Sequence, residues 1–298
     1  MDLVDGLKAF VATAQTGSFT DAAERMGISN RLTSKYVAEL EARIGARLLQ
    51  RTTRKVGLTP VGEDLLARAP ALLDELDDLI GSVREESKGL SGLVRISAPV
   101  SFGEIYVGDM LRRFVGNHPQ MNIDLRLSDA YVDLARDGID LAFRIGTPSV
   151  SSLKMRKLGD MGSAIVASPD YLETHGEPST PQDLLDHICM VDANRRDPTR
   201  WVFVKEGENI DVVIKRRFVV NSAKVARDWA VAGDAIAYCP RFIVADDLAE
   251  GRLVPLLSDY QGLSTPLSAV YLDGTVLPRK VRAIIDFALE DIKINSPF

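Results

Sequence analysis

The sequence predicts an α/β protein in three parts: a small helical head, a long connecting helix and a body of two α/β lobes. Three observations carry that reading. Apolar residues recur at helical spacing through most of residues 1–59, with a tight Gly-containing turn between two short helical runs. From Pro60 onward Leu65, Ala69, Leu72, Leu76, Leu79 and Val83 step by fours and threes. Beyond residue 93, strand-like runs alternate with helical ones, the order of a parallel sheet with crossover helices. With 298 residues, 46% hydrophobic and 26% charged, the chain has the length for more than one core and the composition of a soluble globular protein. The expected divisions are 1–59 for the head, 60–87 for the helix, 88–92 (KGLSG) for a hinge and 93–298 for the body.

The head is read residue by residue. A first helix covers 3–16, with Leu7, Phe10, Val11 and Ala14 facing a core and Gly17 ending it. Ser18 caps a second, about 20–26, with Asp21 as the acidic partner of a capping box; Ala22 and Ala23 allow close packing. Gly27 and Ile28 turn the chain, and Ser29 caps a third helix that ends at Gly45. Two short helices joined this way form a helix-turn-helix unit. On the third helix Thr33, Val37, Leu40 and Ile44 fall on the inner side, while Arg31, Lys35, Ala38 and Ala42 fall opposite, with Ser34 on the flank and Asn30 at the tip. Donors and acceptors near a helix N-terminus, without bulk on the outer face, suit the DNA major groove. There Asn pairs with an adenine edge, Arg and Lys suit guanine or phosphate, and helix N-termini favour phosphate oxygens. Next, Leu48–Leu49 and 56–58 flank RTTRK, which reads as a β-ribbon or wing. Arginine near a minor groove gains from its negative potential, and threonine hydroxyls bond phosphates. The candidate DNA-contacting residues are Ser18, Thr20, Ser29, Asn30, Arg31, Thr33, Ser34 and Lys35, with Arg51, Thr52, Arg54 and Lys55 on the wing.

Charge supports that division. The chain carries −6, but residues 1–59 hold nine Lys or Arg against six Asp or Glu, a balance of +3. Residues 60–87 carry −6 and the remainder −3. A basic head on an acidic body suits a chain whose head alone meets a polyanion.

At this point a resemblance is plain. Residues 1–60 resemble the winged helix-turn-helix of LysR-type transcriptional regulators. The run AFVATAQTGSFTDAAERMGISNRLTSKYVAELEARIGARLLQRTTRKVGLT matches that family without gaps, and the pattern F-x-x-x-A-x-x-G-S-F-x-x-A-A-x-x-x-x-x-S is specific in combination. The family usually has Gln-Pro where this chain has Asn30-Arg31, and Arg where it has Lys35. Those departures bear on the preferred base sequence. In the body the similarity rests on SAPVSFG, LRLSD, DLAFRIG and VASPDYL, with a departure at Gly233-Asp234-Ala235-Ile236, where the family commonly has Gly-Leu-Gly-Ile. The resemblance implies a two-lobed, periplasmic-binding-protein-like (type 2) effector domain.

The connecting helix opens at Pro60, which suits a first helical position, and Pro70 is expected to kink it. Its heptad stripe would be exposed in a monomer. Leu65, Leu72, Leu76, Leu79 and Val83 are therefore expected to join two copies, as the resemblance also implies. The competing expectation is that this helix packs on its own body.

In the body, strands are expected at 93–99, 123–127 and 141–146, with helices at 103–115 and 132–136. A second set holds strands at 188–191, 201–204 and 210–220 and helices at 223–232 and 242–249. The strand 267–272 and the helix 278–293 return to the first lobe, an inference that leans on the family. Lobe I is then about 93–166 and 267–298, and lobe II about 167–266. Ligands of open α/β lobes bind where strands end and helices begin. Val100, Ser101 and Phe102 follow the first strand, Ser128 the second, Arg144 ends the third, and Asn221 and Ser222 start a helix in lobe II. They are the candidates for a small, anionic organic effector held between Ser101 and Asn221.

No metal or cofactor is expected. His118, His175 and His187 lack ligand spacing, and no phosphate-cradling or nucleophile-elbow motif follows a strand. Cys189 and Cys239 read as buried small hydrophobes in a reducing compartment. With no membrane-span candidate and an acidic N-terminus, the chain is expected in the cytoplasm. The reading is a DNA-binding transcriptional regulator and not an enzyme. Its expected partners are double-stranded DNA, a small-molecule effector, a second copy in a homodimer, a homotetramer by resemblance, and RNA polymerase. The alternatives are a constitutive DNA-binding regulator without effector, or an enzyme body tethered to DNA.

Overall fold

A computed structural model describes residues 2–51, 56–83, 89–130, 132–146, 153–195, 197–262, 264–273 and 277–295, with backbone alone at 51, 74–75, 77–78 and 81–83. The head comprises α1 (Leu3–Thr16), α2 (Phe19–Met26), α3 (Asn30–Ile44) and the antiparallel ribbon β1 (Leu49–Arg51) and β2 (Val56–Leu58). Its helix ends follow from local chemistry. Ser18 and Ser29 accept the Asp21 and Leu32 N–H groups, and Gly17 and Gly45 take the left-handed backbone that a side chain resists. The capping box at Ser18 is not reciprocal, because the Ser18 N–H goes to Thr16 Oγ1 at 3.4 Å. Ala9, Phe10, Val37, Leu40, Leu48 and Leu49 form the head core. Ile44 departs from expectation: at the last turn of α3 it has run past that core and is 44% exposed.

The connecting helix is α4 (Pro60–Val83), with Pro70 inside it. Leu66, Ala69 and Leu73 bury against the head core. So Ala69, on the expected stripe, serves the monomer, and Leu65 is partly packed there too. Leu72, on another face from its neighbour Leu73, and Leu79 are 54% and 61% exposed. The Val83 side chain lies outside the described residues.

In lobe I, β3 (Ser91–Ala98) starts within the expected hinge. The helical run after it opens as α5 (Val100–Phe102), passes through a π-helical stretch (Gly103–Val107) and closes as α6 (Gly108–Gly116). β4 (Gln120–Leu127), α7 (Leu134–Asp137), β5 (Leu141–Ile145) and β6 (Leu153–Met161) follow. Lobe II holds β7 (Ser163–Ala167), α8 (Pro169–His175), a 3₁₀ turn (Pro181–Asp186), β8 (Cys189–Asp192), β9 (Arg200–Lys205), β10 (Glu208–Val213), β11 (Phe218–Val220), α9 (Ala223–Val231), β12 (Ile236–Pro240), α10 (Arg241–Ala249), β13 (Val254–Leu256) and β14 (Gln261–Gly262). The chain then returns as β15 (Thr265–Leu272) and α11 (Arg279–Ile294).

The lobe I sheet has the order β4-β3-β5-β15-β6, with β3 parallel to β4 and β5 and β15 antiparallel to its neighbours. Lobe II has β11-β8-β12-β7-β13, covered by the small sheet β10-β9-β14. The chain changes lobes at Gly162 and between Gly262 and Thr265, a few residues before the expected 166 and 267. The single strand expected at 210–220 is two. β10 pairs with β9 in the small sheet and β11 pairs with β8 in the large one, so residues 214–217 carry the chain from one sheet to the other. One apolar core runs through both lobes, from Val94, Ile96 and Phe102 to Ala237, Phe242 and Val244. A second lies between the lobe II sheets around Trp201 and Phe203.

Candidate nucleic-acid interface and inter-lobe cleft

The opening turns of α3 form an exposed polar tip. Asn30, its first residue, donates through Nδ2 to Thr20 Oγ1 at 2.8 Å, and its Oδ1 accepts from the Ser34 hydroxyl at 3.4 Å. Thr20 sits in the first turn of α2, so the two helices of the helix-turn-helix are tied at the point both present outward. Arg31 and Lys35 are exposed on the same tip, Lys35 with a loose ion pair to Glu39 at 3.8 Å. A cluster of neutral donors and acceptors flanked by two cations, at the positive end of a helix dipole, is suited to base edges and phosphates together.

Three candidates serve the head internally. Ser18 and Ser29 are the caps of α2 and α3. Thr33 is fully buried, and its hydroxyl donates to the Ser29 carbonyl at 3.2 Å, so it does not face DNA. Its inward place on the helical wheel decides that. On the wing, Thr52, Arg54, Lys55 and the Arg51 side chain lie outside the described residues. The ribbon's base is described: Val56 N–H bonds the Gly17 carbonyl at 3.1 Å, which fixes the ribbon beside the α1–α2 corner.

In the body, the effector candidates lie at or just after the carboxyl ends of β3, β4, β5 and β11. Ser101 is nearly buried in the first helical turn after β3. The N–H of Val100, expected to meet an effector anion, is held at 3.1 Å by the Asp129 carboxylate of the same lobe. Ser128 accepts from the Ala130 N–H. Arg144 turns inward, donating to Ser97 Oγ at 3.0 Å and to the Phe143 carbonyl. Phe102 departs from expectation. It is 1% exposed and meets Phe242 of α10 edge-on at 5.6 Å, so it joins the lobes instead of facing a ligand. In lobe II, Ser222 caps α9 and the Asn221 carbonyl accepts from Asn194 Nδ2 at 2.7 Å. Asp192, at the end of β8, has its carboxyl raised above the ordinary range by burial and, among lesser causes, by the Asp129 charge from lobe I. Sequence reasoning missed both acids. The signal was the acid after the strand in LRLSD, whose side chain can cap the neighbouring helix start.

Burial pushes both thiols up to about 12, with Asp192 adding to it and Arg195 and Arg227 opposing it at Cys239, so they stay protonated near neutrality. Parallel pairing sets Cys189 opposite Ile236; Cys239, three residues on, faces the other side of the sheet, in the other apolar core. The two cannot meet as a disulfide within the chain. Among the described residues no helix is long and apolar enough to cross a membrane, and no cluster of metal-ligating side chains occurs.

Residues 4–63 match the family described as bacterial regulatory helix-turn-helix protein, lysR family, and residues 87–293 match the LysR substrate binding domain. An HTH-type transcriptional regulator of Haemophilus influenzae is 35% identical over 95% of this chain and 99% of its own. The transcriptional regulator PtxR of Pseudomonas aeruginosa is 34% identical over 98% and 93%. Among solved structures, the full-length virulence activator AphB of Vibrio cholerae, a member of the LTTR family, aligns with TM-score 0.61 at 30% identity, covering 97% of this chain and 99% of that one. CrgA, a LysR-type transcriptional regulator from Neisseria meningitidis, aligns with TM-score 0.62 at 28% identity over 96% and 98%.

Proposed function

The chain belongs to the LysR family of bacterial helix-turn-helix transcriptional regulators, and from that premise we propose how its parts divide the work. It is a DNA-binding regulator with a substrate-binding domain. The opening turn of α3, through Asn30, Arg31, Ser34 and Lys35 with Thr20 beside them, reads base edges in the major groove while the wing grips alongside. One observation carries this: the exposed Thr20–Asn30–Ser34 hydrogen-bonded cluster, flanked by cations, has no part in the head core. The exposed stretch of α4 around Leu72 and Leu79 joins two copies, so two heads meet two half-sites. Pairs of dimers form the tetramer, DNA binding places the protein in the cytoplasm, and RNA polymerase is a further partner at the regulated promoter.

The effector is a small organic anion at the start of α5, where its carboxylate takes over the Val100 N–H from Asp129 beside Ser101. Binding regulates only if the anion prefers one arrangement of the lobes over another. The constitutive reading also has an observation in its favour, since Asp129 already fills that position. One experiment addresses both parts. Full-length protein selects duplexes from a random library, and the protected pattern is mapped with and without a panel of organic acids. Two protected half-sites about one helical turn apart, some 34–36 Å, are expected. One acid should shift the pattern or the affinity. A single unpaired patch counts against the dimeric reader, and no response to any acid supports the constitutive reading.

A further inference from the structure

Glu41 lies on α3 about three turns from the DNA-facing tip. It is 8% exposed, beside a core of Phe10, Val37, Leu40 and Leu48, where a carboxylate needs partners. Its oxygens have them. Oε1 accepts the Leu48 N–H at 2.8 Å and the Leu49 N–H at 3.1 Å, and Oε2 meets Arg47 Nη1 at 3.0 Å. Those N–H groups lead into β1, the first strand of the wing.

Two of these three residues, Arg47 and Leu48, are held from the other side at the start of α4. Thr59 Oγ1 donates to the Arg47 carbonyl at 2.7 Å, and the Thr59 N–H bonds the Leu48 carbonyl at 3.0 Å. Gly62 N–H bonds Thr59 Oγ1 at 3.1 Å, and Gly62 comes so near that a Cβ would stand 2.1 Å from the Leu48 oxygen. Residues 47–49 are therefore a knot in which the recognition helix, the wing and the dimerising helix meet. Side-chain packing does not fix their angles along the whole length, because a crevice of about 350 Å³ separates α3 from the ribbon, lined by Ser34, Ala38, Glu41 and Gln50 among others. Hydrogen bonds at the knot add direction to what the shared head core and the Val56–Gly17 bond already give.

We propose that Glu41 is a positioning residue for DNA binding: it holds the wing and α4 at a set angle to α3. A head seated through Asn30 and Arg31 then also lays its wing on the backbone and aims α4 at its partner. This rests on the DNA-reading role proposed for the tip of α3 and on the grip proposed for the wing. Carboxylate chemistry is needed, because one group must accept two backbone N–H groups and a guanidinium together.

The test uses full-length wild type and Glu41→Gln with a library-selected duplex and a scrambled one, over a range of salt. If wild type shows no preference for the selected duplex, the DNA-reading role itself has failed, and this proposal with it. Given that preference, Glu41→Gln should bind the selected duplex about tenfold more weakly at 0.1 M salt. Its slope of log affinity against log salt should also be shallower by about one to two, the mark of lost phosphate contacts. Unchanged affinity overturns the proposal. So does weaker binding at an unchanged slope, since core damage without wing displacement gives that. Should Glu41→Gln fail to fold, Thr59→Val loosens the same knot from a half-buried position and is held to the same two criteria.

Discussion

Asn30 offers outward only what its neighbours leave it. One amide hydrogen is spent on Thr20 and one carbonyl lone pair on Ser34, which leaves a donor and an acceptor side by side in a fixed plane. That is the pair an adenine edge requires, already oriented before DNA arrives. Asp291 shows the opposite use of polar bonds. Burial alone would raise its carboxyl, but hydrogen bonds from Arg113, then Tyr106 and Asn295, outweigh it and hold it below the ordinary range. The Arg113 contacts are 2.6 and 2.9 Å, and they fasten α11 to α6. A lowered carboxyl stabilises the fold above its unfolded value and loses that contribution as pH falls through the folded one. Asp291→Asn should therefore cost about 1–3 kcal/mol at pH 7, since Arg113 is a third exposed and keeps Asp109 as a partner. It should also flatten the acid limb of the melting temperature below about pH 4, measured by calorimetry from pH 7 to 3. Caps such as Ser18 and Ser29 were legible because cap and helix are neighbours in the chain. Glu41 was not, because its partners arrive after the turn at Gly45.

The connecting helix α4 divides its apolar residues between two tasks. Its first turns bury Leu66, Ala69 and Leu73 in the head, while Leu72 and Leu79 stay exposed. Successive helical residues point about 100° apart, so the face of Leu66, Ala69 and Leu73 turns to the head while that of Leu72 and Leu79 turns away. Periodicity thus marked the stripe but not the point where it leaves the head. Replacing Leu72 and Leu79 together by Glu should turn a dimer into a monomer in analytical ultracentrifugation. A variant that still sediments as a dimer would move the interface elsewhere. In the body, β6 escaped notice because LKMRKLGDM has no run of apolar residues. It is an edge strand, and edges carry charge. β10 and β11 read as one strand because pattern alone does not show which sheet each half joins.

Across the molecule, lobe I lies between the head and lobe II. On one side Gly138 comes so close to Gln15 of α1 that a Cβ would stand 2.9 Å away, and Ala135 packs on the head core. On the other, Phe102 and Phe242 make the lobes share one apolar core. The order of parts was legible from charge and periodicity. Asp129 and Asp192 were not legible as neighbours, because they come together only through the packing of two lobes. The proposed regulation turns on α3 being seated on DNA. Its most direct test is the ratio of affinities for selected and scrambled duplexes, measured at equal salt for wild type and for Asn30→Ala with Arg31→Ala. Base reading predicts that the double variant loses about 2–4 kcal/mol on the selected duplex and far less on the scrambled one. Equal loss on both duplexes would contradict it, and the tip of α3 would then contact only phosphates.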